Sequence, residues 1–362
     1  MKQYNEGIYF GMPEDEYHAI PYFSRSLAES INFDVEEAWY NSHHNPSKPE
    51  KKSIFMDLGK AVHSLILEPE TFENLYIKKP RYSDFPGRTI LDTNDELKEF
   101  LSSVGEKKSG NKDDLIARAE PYINVQTHLI WAHEIAKFQE QIEIHDKREL
   151  SQDHAFILDG IKTNLDRTKV VKKIFQNGCS EITIILKDPE TGVMCKFRID
   201  YARIEAIGEL KTFSMKYKRN LQKYMNDTIN FERYNVQFAV YQEALFNIIN
   251  KIKNNEAEVF GEIDSEWLTK FLERPRKKFF IVFARTEAPF QIRSKELKKS
   301  ESDHGSDNVY FTEGLRSFRT ALVKYLNLLE EFGDQPWTEG KEITTLRDED
   351  VPNVLYQNQY LD

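Results

Sequence analysis

Two extended stretches of this 362-residue chain carry carboxylates beside a lysine, in the arrangement that phosphodiester hydrolysis requires. The first, VMCKFRIDYARI, brings Asp200 near its end, and the next, AIGELKTF, carries Glu209 and Lys211. Residues i and i+2 of a strand point to one face, so Glu209 and Lys211 project together while Leu210 turns toward the core. Asp200, on the neighbouring strand, reaches the same spot. Two carboxylates aided by the Leu210 carbonyl offer Mg2+ an oxygen shell with positions left for water and phosphate. Lys211 beside them would orient or deprotonate that water and offset charge in the transition state. Glu181 opens the preceding stretch, EITIILKD; such a residue is commonly an exposed strand position, and as a functional one it would be a further carboxylate aimed at the same place. The bare carboxylate-x-lysine triplet says little, because it recurs at Glu50, Glu96, Glu106, Glu296 and Glu339 in a chain that is 30% charged. Only at Glu209 does it lie in an apolar extended stretch one strand after an aspartate.

The elements that must position these residues follow from hydrophobic period. EITIILKD and VMCKFRIDYARI flank the turn signal DPETG and form a hairpin, with AIGELKTF as third strand. FERYNVQFAVYQEALFNII is a helix with Tyr234, Gln237 and Tyr241 on one face, and KKFFIVFART and PFQIRS are two further strands. Upstream, Ser24 to Tyr40 reads as one helix with Ser26 and Glu29 at capping-box spacing. A second helix runs from about Phe55 to Leu67 and carries His63, with Gly59 clearing the same face one turn earlier. Between Thr93 and Ala119 the composition turns charged, and the broken repeat TNDELKEFLSSVGEKKSGNKDDLIARA reads as an inserted pair of helices opened by a Thr93–Glu96 capping box. Helices are expected over roughly residues 121–146, 164–177 and 312–331. The fold class is therefore α/β, a mixed twisted sheet flanked by helices with a small helical insertion. By number, the unit that carries the sheet occupies residues 1–89 and 123–362 and the insertion 90–122.

A net charge of −10, from 60 acidic and 50 basic residues, does not advertise a polyanion partner. A cation-dependent nuclease resolves that conflict by clustering carboxylates at its centre and confining basic residues to one groove. Lys216, Lys218 and Arg219, just after the Lys211 strand, are candidates for such a groove. Two cysteines, Cys179 and Cys195, are too few for a disulfide framework, a four-thiolate zinc site or a four-cysteine iron–sulfur cluster. No apolar run approaches the roughly 20 residues that span a bilayer. Cytoplasmic residence without a membrane partner is the expectation.

GKAVHSLILEPE, CKFRIDY, IGELKT and YNVQFAVYQEAL, in that order and spacing, resemble the RecB-like branch of the PD-(D/E)XK nucleases, specifically the RecE (exonuclease VIII) type. The opening MPEDEYHAIPYFSRSLAES is similar to that family's N-terminal segment, and the likeness covers roughly residues 8–295. It implies a restriction-endonuclease-like core. It further implies His63, Asp200 and Glu209 as metal ligands, Lys211 as catalytic lysine, Glu181 as an accessory acid, and Gln237 with Tyr241 as a QxxxY pair touching the DNA backbone. Related nucleases that hold an iron–sulfur cluster need four cysteines, so no such cluster is expected here.

The resemblance implies a Mg2+-dependent exonuclease, with Mn2+ able to substitute. It would degrade linear double-stranded DNA from 5′ ends and leave 3′ single strands for an annealing recombinase. Ring-like homo-oligomers and a bacterial, phage or prophage origin belong to the same expectation. Residues 93–119 resemble a SAP motif, with Gly110, Lys112, Leu115, Ile116 and Arg118 filling its second half. Lys107, Lys108 and Lys112 would then touch phosphates without reading sequence. The alternatives are an endonuclease or single-strand nuclease on the same chemistry, and an inactive protein that binds DNA ends.

Overall fold

The computed structural model describes residues 3–48, 54–215, 220–300 and 307–339. In chain order, β1 (Gly7–Tyr9), α1 (Glu14–Ala19), β2 (Phe23–Ser24), α2 (Arg25–Phe33) and α3 (Val35–Tyr40) lead to α4 (Ile54–Leu67) and α5 (Pro69–Leu75). Then come β3 (Tyr76–Lys78), β4 (Thr89–Leu91), α6 (Asn94–Ser103), α7 (Lys112–Ala119), β5 (His128–Ile130), α8 (Trp131–Glu143), β6 (Arg148–Leu150), α9 (Gln152–Arg167) and α10 (Lys169–Lys172). The central hairpin is β7 (Gly178–Lys187) and β8 (Met194–Arg203), followed by β9 (Ala206–Phe213), α11 (Leu221–Phe231) and α12 (Tyr234–Lys253). The chain closes with β10 (Glu258–Phe260), α13 (Ser265–Glu273), β11 (Lys278–Arg285), β12 (Ile292–Leu297) and α14 (Val309–Phe332). None of the described helices is long and apolar enough to cross a membrane.

The main sheet runs β10-β1-β7-β8-β9-β11-β12, with β2 on the edge of β8. β1/β10 and β9/β11 pair in parallel, and β7, β8 and β9 are successive antiparallel neighbours, so the sheet is mixed. One face carries α2, α12 and α14 over Ile182, Ile184, Phe197, Ile199, Ile207 and Phe283. The other carries α4 and α9 over Tyr201, Leu210, Val282 and Ile292. Side chains of alternate parity on one strand thus feed two separate cores, which fixes the register of β9. Full pairing of β9 with β11, from Ala206↔Lys278 to Phe213↔Arg285, anchors the strand that bears Glu209 and Lys211.

Several expected boundaries shift. Ser24 to Tyr40 is two helices, because Asp34 leaves the helical region (φ −157°) and its carboxylate caps Glu37 N–H at 2.9 Å. The cap of the first is Ser24, not Ser26, and Glu29 instead pairs with Arg25 at 2.6 Å. The helix expected over 121–146 begins only at Trp131, since His128–Ile130 pairs with β4. The one expected from 164 starts at Gln152, capped by Ser151. Gly59 has open surroundings: a Cβ there would find only Thr212 Oγ1, at 3.9 Å, so no other part of the described chain approaches it closely.

The charged segment forms its own small core from Leu91, Leu97, Phe100, Leu101, Leu115, Ile116, Ala119 and Ile130, sharing no residue with the cores on either face of the sheet. The Thr93–Glu96 capping box is made in both directions. β4 and β5 close the base of this module as a parallel pair.

Candidate active site

The site lies where β8 and β9 part. The two strands pair only at Tyr201↔Gly208 and Ala202↔Ile207, while the first half of β8 pairs instead with β2 at Phe23↔Cys195 and Ser24↔Lys196. In the gap, side chains replace the ladder. The Leu210 N–H donates to Asp200 Oδ2 at 2.8 Å, and the Asp200 N–H donates to Glu209 Oε1 at 3.3 Å. Lys211 Nζ lies 3.5 Å from Glu209 Oε2 and 4.0 Å from Asp200 Oδ2. The structure therefore brings Asp200, Glu209 and Lys211 into one cluster.

On the α4 side of the gap, His63, Glu181 and Asp200 each present a ligand atom within 4.8 Å of the others. One nitrogen and two carboxylate oxygens are a donor set that suits a divalent cation. Burial holds the His63 pKa below its usual value against the opposing pull of Asp200, which favours the neutral ring that ligates. The Leu210 backbone also pulls on this ring, favouring its charged form, so it lies at the same cluster. Glu181 sits in β7 with φ +53°, a left-handed conformation that costs a non-glycine residue about 1 kcal/mol or more. Ladder pairing is interrupted there, between Ser180↔Tyr201 and Ile182↔Ile199. Burial first, and the Asp200 charge second, push the Glu181 carboxyl up to about 7. Arg198, two residues before Asp200 on β8, ties down that carboxylate while also bonding Thr183 Oγ1 and the Met12 carbonyl at 3.0 Å each.

Glu209 is fully buried (0% exposed), and burial followed by the Asp200 charge raises its pKa well above the ordinary range. Burial opposes the Lys211 ammonium, but Asp200 and Glu209 together outweigh it and raise the lysine's pKa. The cluster crowds Glu181, Asp200 and Glu209 together against Lys211 and Arg198, an arrangement that suits a further cation. Tyr234 lies beneath Lys211, its ring centroid 5.4 Å from Nζ, and Arg25 is 6.0 Å from the same ring.

Gln237 and Tyr241, expected to touch the DNA backbone, face inward. Gln237 is 3% exposed and its side-chain amide donates to Glu209 Oε2. Tyr241 is also buried and meets Phe197 edge-on at 6.1 Å. A backbone contact therefore meets a burial obstacle here, and the observed partner of Gln237 is a carboxylate of the centre. Lys107, Lys108 and Lys112 are exposed on the small module, Lys112 pairing with Asp92 at 3.1 Å. Lys216, Lys218 and Arg219 lie outside the described residues. Sequence reasoning missed Arg198 and Arg25. The signal for Arg198 was present, since it precedes Asp200 by two on an extended strand; Arg25 had none, because its approach to Tyr234 joins elements some 200 residues apart.

Residues 26–260 match a family profile described as "PDDEXK-like domain of unknown function (DUF3799)". No curated protein matches the chain. Among solved structures the chain is similar to one from Eubacterium rectale named "Putative exonuclease", at 13% identity and a TM-score of 0.46, covering 94% of this chain and 97% of that one. Likeness at that level carries no functional weight.

Proposed function

The chain belongs to the PDDEXK-like DUF3799 family and carries a nuclease-type domain, and from that premise we propose that it is a divalent-cation-dependent deoxyribonuclease centred on Asp200, Glu209 and Lys211. The observation that carries this is the gap between β8 and β9, where two carboxylates and a lysine meet and His63 and Glu181 complete a nitrogen–oxygen donor set.

A divalent cation held by Asp200, Glu181 and His63, with Glu209 and the Leu210 carbonyl adjoining, would polarise a phosphate and lower the cost of forming hydroxide. The chain's own groups do the rest. Lys211, kept protonated by its two carboxylates, donates to a non-bridging phosphate oxygen and offsets charge as the phosphorus becomes five-coordinate. Gln237 holds Glu209 in one orientation, and Arg198 does the same for Glu181. Mg2+ is the natural cation for this mostly oxygen set, with Mn2+ a substitute.

The finer reading is a RecE-type exonuclease that resects linear duplex 5′ to 3′, acts as a ring-like oligomer and hands 3′ single strands to an annealing partner. In it residues 90–122 form a SAP-like accessory unit whose Lys107, Lys108 and Lys112 hold duplex, and Lys216, Lys218 and Arg219 line the groove. Its support is the RecE-like motif order and the separate core of the module. End-labelled linear duplex and closed circular duplex, each incubated with Mg2+, test both levels. Loss of label from linear DNA alone is the expected result. Activity on circles would replace the exonuclease with an endonuclease, and undiminished activity in Asp200→Ala or Lys211→Ala would remove the centre assigned here.

A further inference from the structure

At the C-terminal ends of α2 and α11 the fold leaves two phenylalanines in water. Phe231, the last residue of α11, is 80% exposed, and Phe33, the last of α2, is 76% exposed. Scattered apolar side chains on a surface need no explanation. These two are linked through one serine. Asn32, next to Phe33, donates its side-chain amide to Ser317 O and Oγ at 3.1 Å each, and Arg233, two residues after Phe231, donates to the same Oγ at 2.7 Å.

Residues beside both phenylalanines reach the centre. Tyr234, adjoining Arg233, lies beneath Lys211, and Glu29, one helical turn before Phe33, sits among the charges of Arg25, Lys211 and Arg233. Exposed rings beside a guanidinium that Ser317 holds in place are a surface on which unpaired bases stack and a phosphate meets a cation. Two phenylalanine rings offer on the order of 300–500 Å² between them. A stable protein interface needs about 800 Å² per partner, more than these two rings supply alone, whereas one or two stacked bases need no more than they offer.

We propose that Phe33 and Phe231 form a stacking rim that grips unpaired bases of the DNA strand entering the Asp200–Glu209–Lys211 centre. The proposal rests on the nuclease reading for the identity of the strand. A frayed or single-stranded end should then bind more tightly than a blunt one, because only unpaired bases present free faces to the rings.

The test is equilibrium binding of a short oligothymidylate bearing terminal 2-aminopurine, in EDTA, to the wild-type chain and to Phe33→Ala, Phe231→Ala and the double variant. Each single variant is expected to bind about tenfold more weakly. The double variant should also lose the quenching of 2-aminopurine that stacking produces, with an unchanged melting temperature. Affinity and quenching equal to wild type in the double variant would overturn the proposal. So would dissociation of a wild-type oligomer by the double substitution, seen in sedimentation velocity without loss of affinity, since the rings would then belong to a subunit contact. A wild-type chain that shows ring-dependent quenching but no Mg2+-dependent hydrolysis would keep the rim and remove the nuclease reading instead.

Discussion

Asp200 Oδ2 accepts the main-chain N–H of Leu210 at 2.8 Å, so one carboxylate stands in for a missing rung between β8 and β9. The same residue's N–H reaches Glu209 Oε1. Asp200 is therefore both a candidate ligand and a clamp that keeps the gap at a fixed width.

These two roles separate by substitution. Asp200→Asn keeps an oxygen acceptor for Leu210 N–H and removes the charge, whereas Asp200→Ala removes both. An unmet buried N–H costs about 1–3 kcal/mol, so the alanine variant should unfold at lower denaturant than the asparagine variant, by roughly 1 kcal/mol or more. Both should lose cation-dependent hydrolysis. Equal stability of the two in urea titrations would show that the clamp carries no weight.

Gln237 holds Glu209 from the α12 side. Partners that orient ligand carboxylates are typically worth about 10–100-fold in cation affinity or rate. Gln237→Ala should lower kcat and raise the Mg2+ concentration for half activity, with KM for DNA little changed. A contact to the DNA backbone predicts the opposite split. Steady-state kinetics at saturating and limiting Mg2+ distinguish them, and a raised KM with unchanged kcat would return Gln237 to the DNA surface.

The hairpin and third strand were legible because β-branched and aromatic residues run together on either side of DPETG, and no other stretch between residues 178 and 213 competes. The module's first helix was legible from Thr93 and Glu96, a purely local signal. The three-residue strands β1 and β10 were not, because Gly7↔Glu258 pairing is set by residues 251 apart. α9 was read late because Gly160 weakens its local pattern. That glycine serves packing: a Cβ there would come within 2.2 Å of the Phe290 ring. At the site, residue types were readable but the mechanism of convergence was not. Parity puts Leu210 in the core under α4 and Glu209 against α12, and only the parting of β8 from β9 lets both sides meet.

The raised Glu181 carboxyl makes stability depend on pH. Its folded pKa of about 7 exceeds the ordinary carboxyl value, so the folded chain keeps a proton that the unfolded chain releases. This contribution is whole below about pH 4.5 and is lost as pH rises through about 7. Metal-free wild type minus Glu181→Gln, compared by melting temperature, should therefore be more favourable at about pH 5.5 than at about pH 8, by a few degrees. Added Mg2+ should stabilise wild type most at the higher pH, because a ligating carboxylate must be deprotonated. Parallel melting curves for the two proteins across that range would show that Glu181 titrates normally.

The seam between α12 and α14 sets where Gln237 stands. Gly314 of α14 faces Asn235 of α12 so closely that a Cβ would lie 2.3 Å from the Asn235 carbonyl oxygen and 2.8 Å from Ala239 Cβ. Helix propensity alone favours alanine at position 314 by about 1 kcal/mol. The clash is with backbone, which cannot rotate away, so α14 must move off α12, and overpacking of this kind costs about 1–3 kcal/mol. Gly314→Ala is expected to be net destabilising by roughly 1 kcal/mol. It should also reduce hydrolysis more than its stability loss explains, because Asn235 lies two residues before Gln237 and a shift of α12 loosens the hold on Glu209. Urea denaturation together with kcat at a temperature where both proteins are fully folded measures the two effects. A Gly314→Ala variant as stable and active as wild type would mean that the seam has slack and that α12 is positioned by the sheet alone.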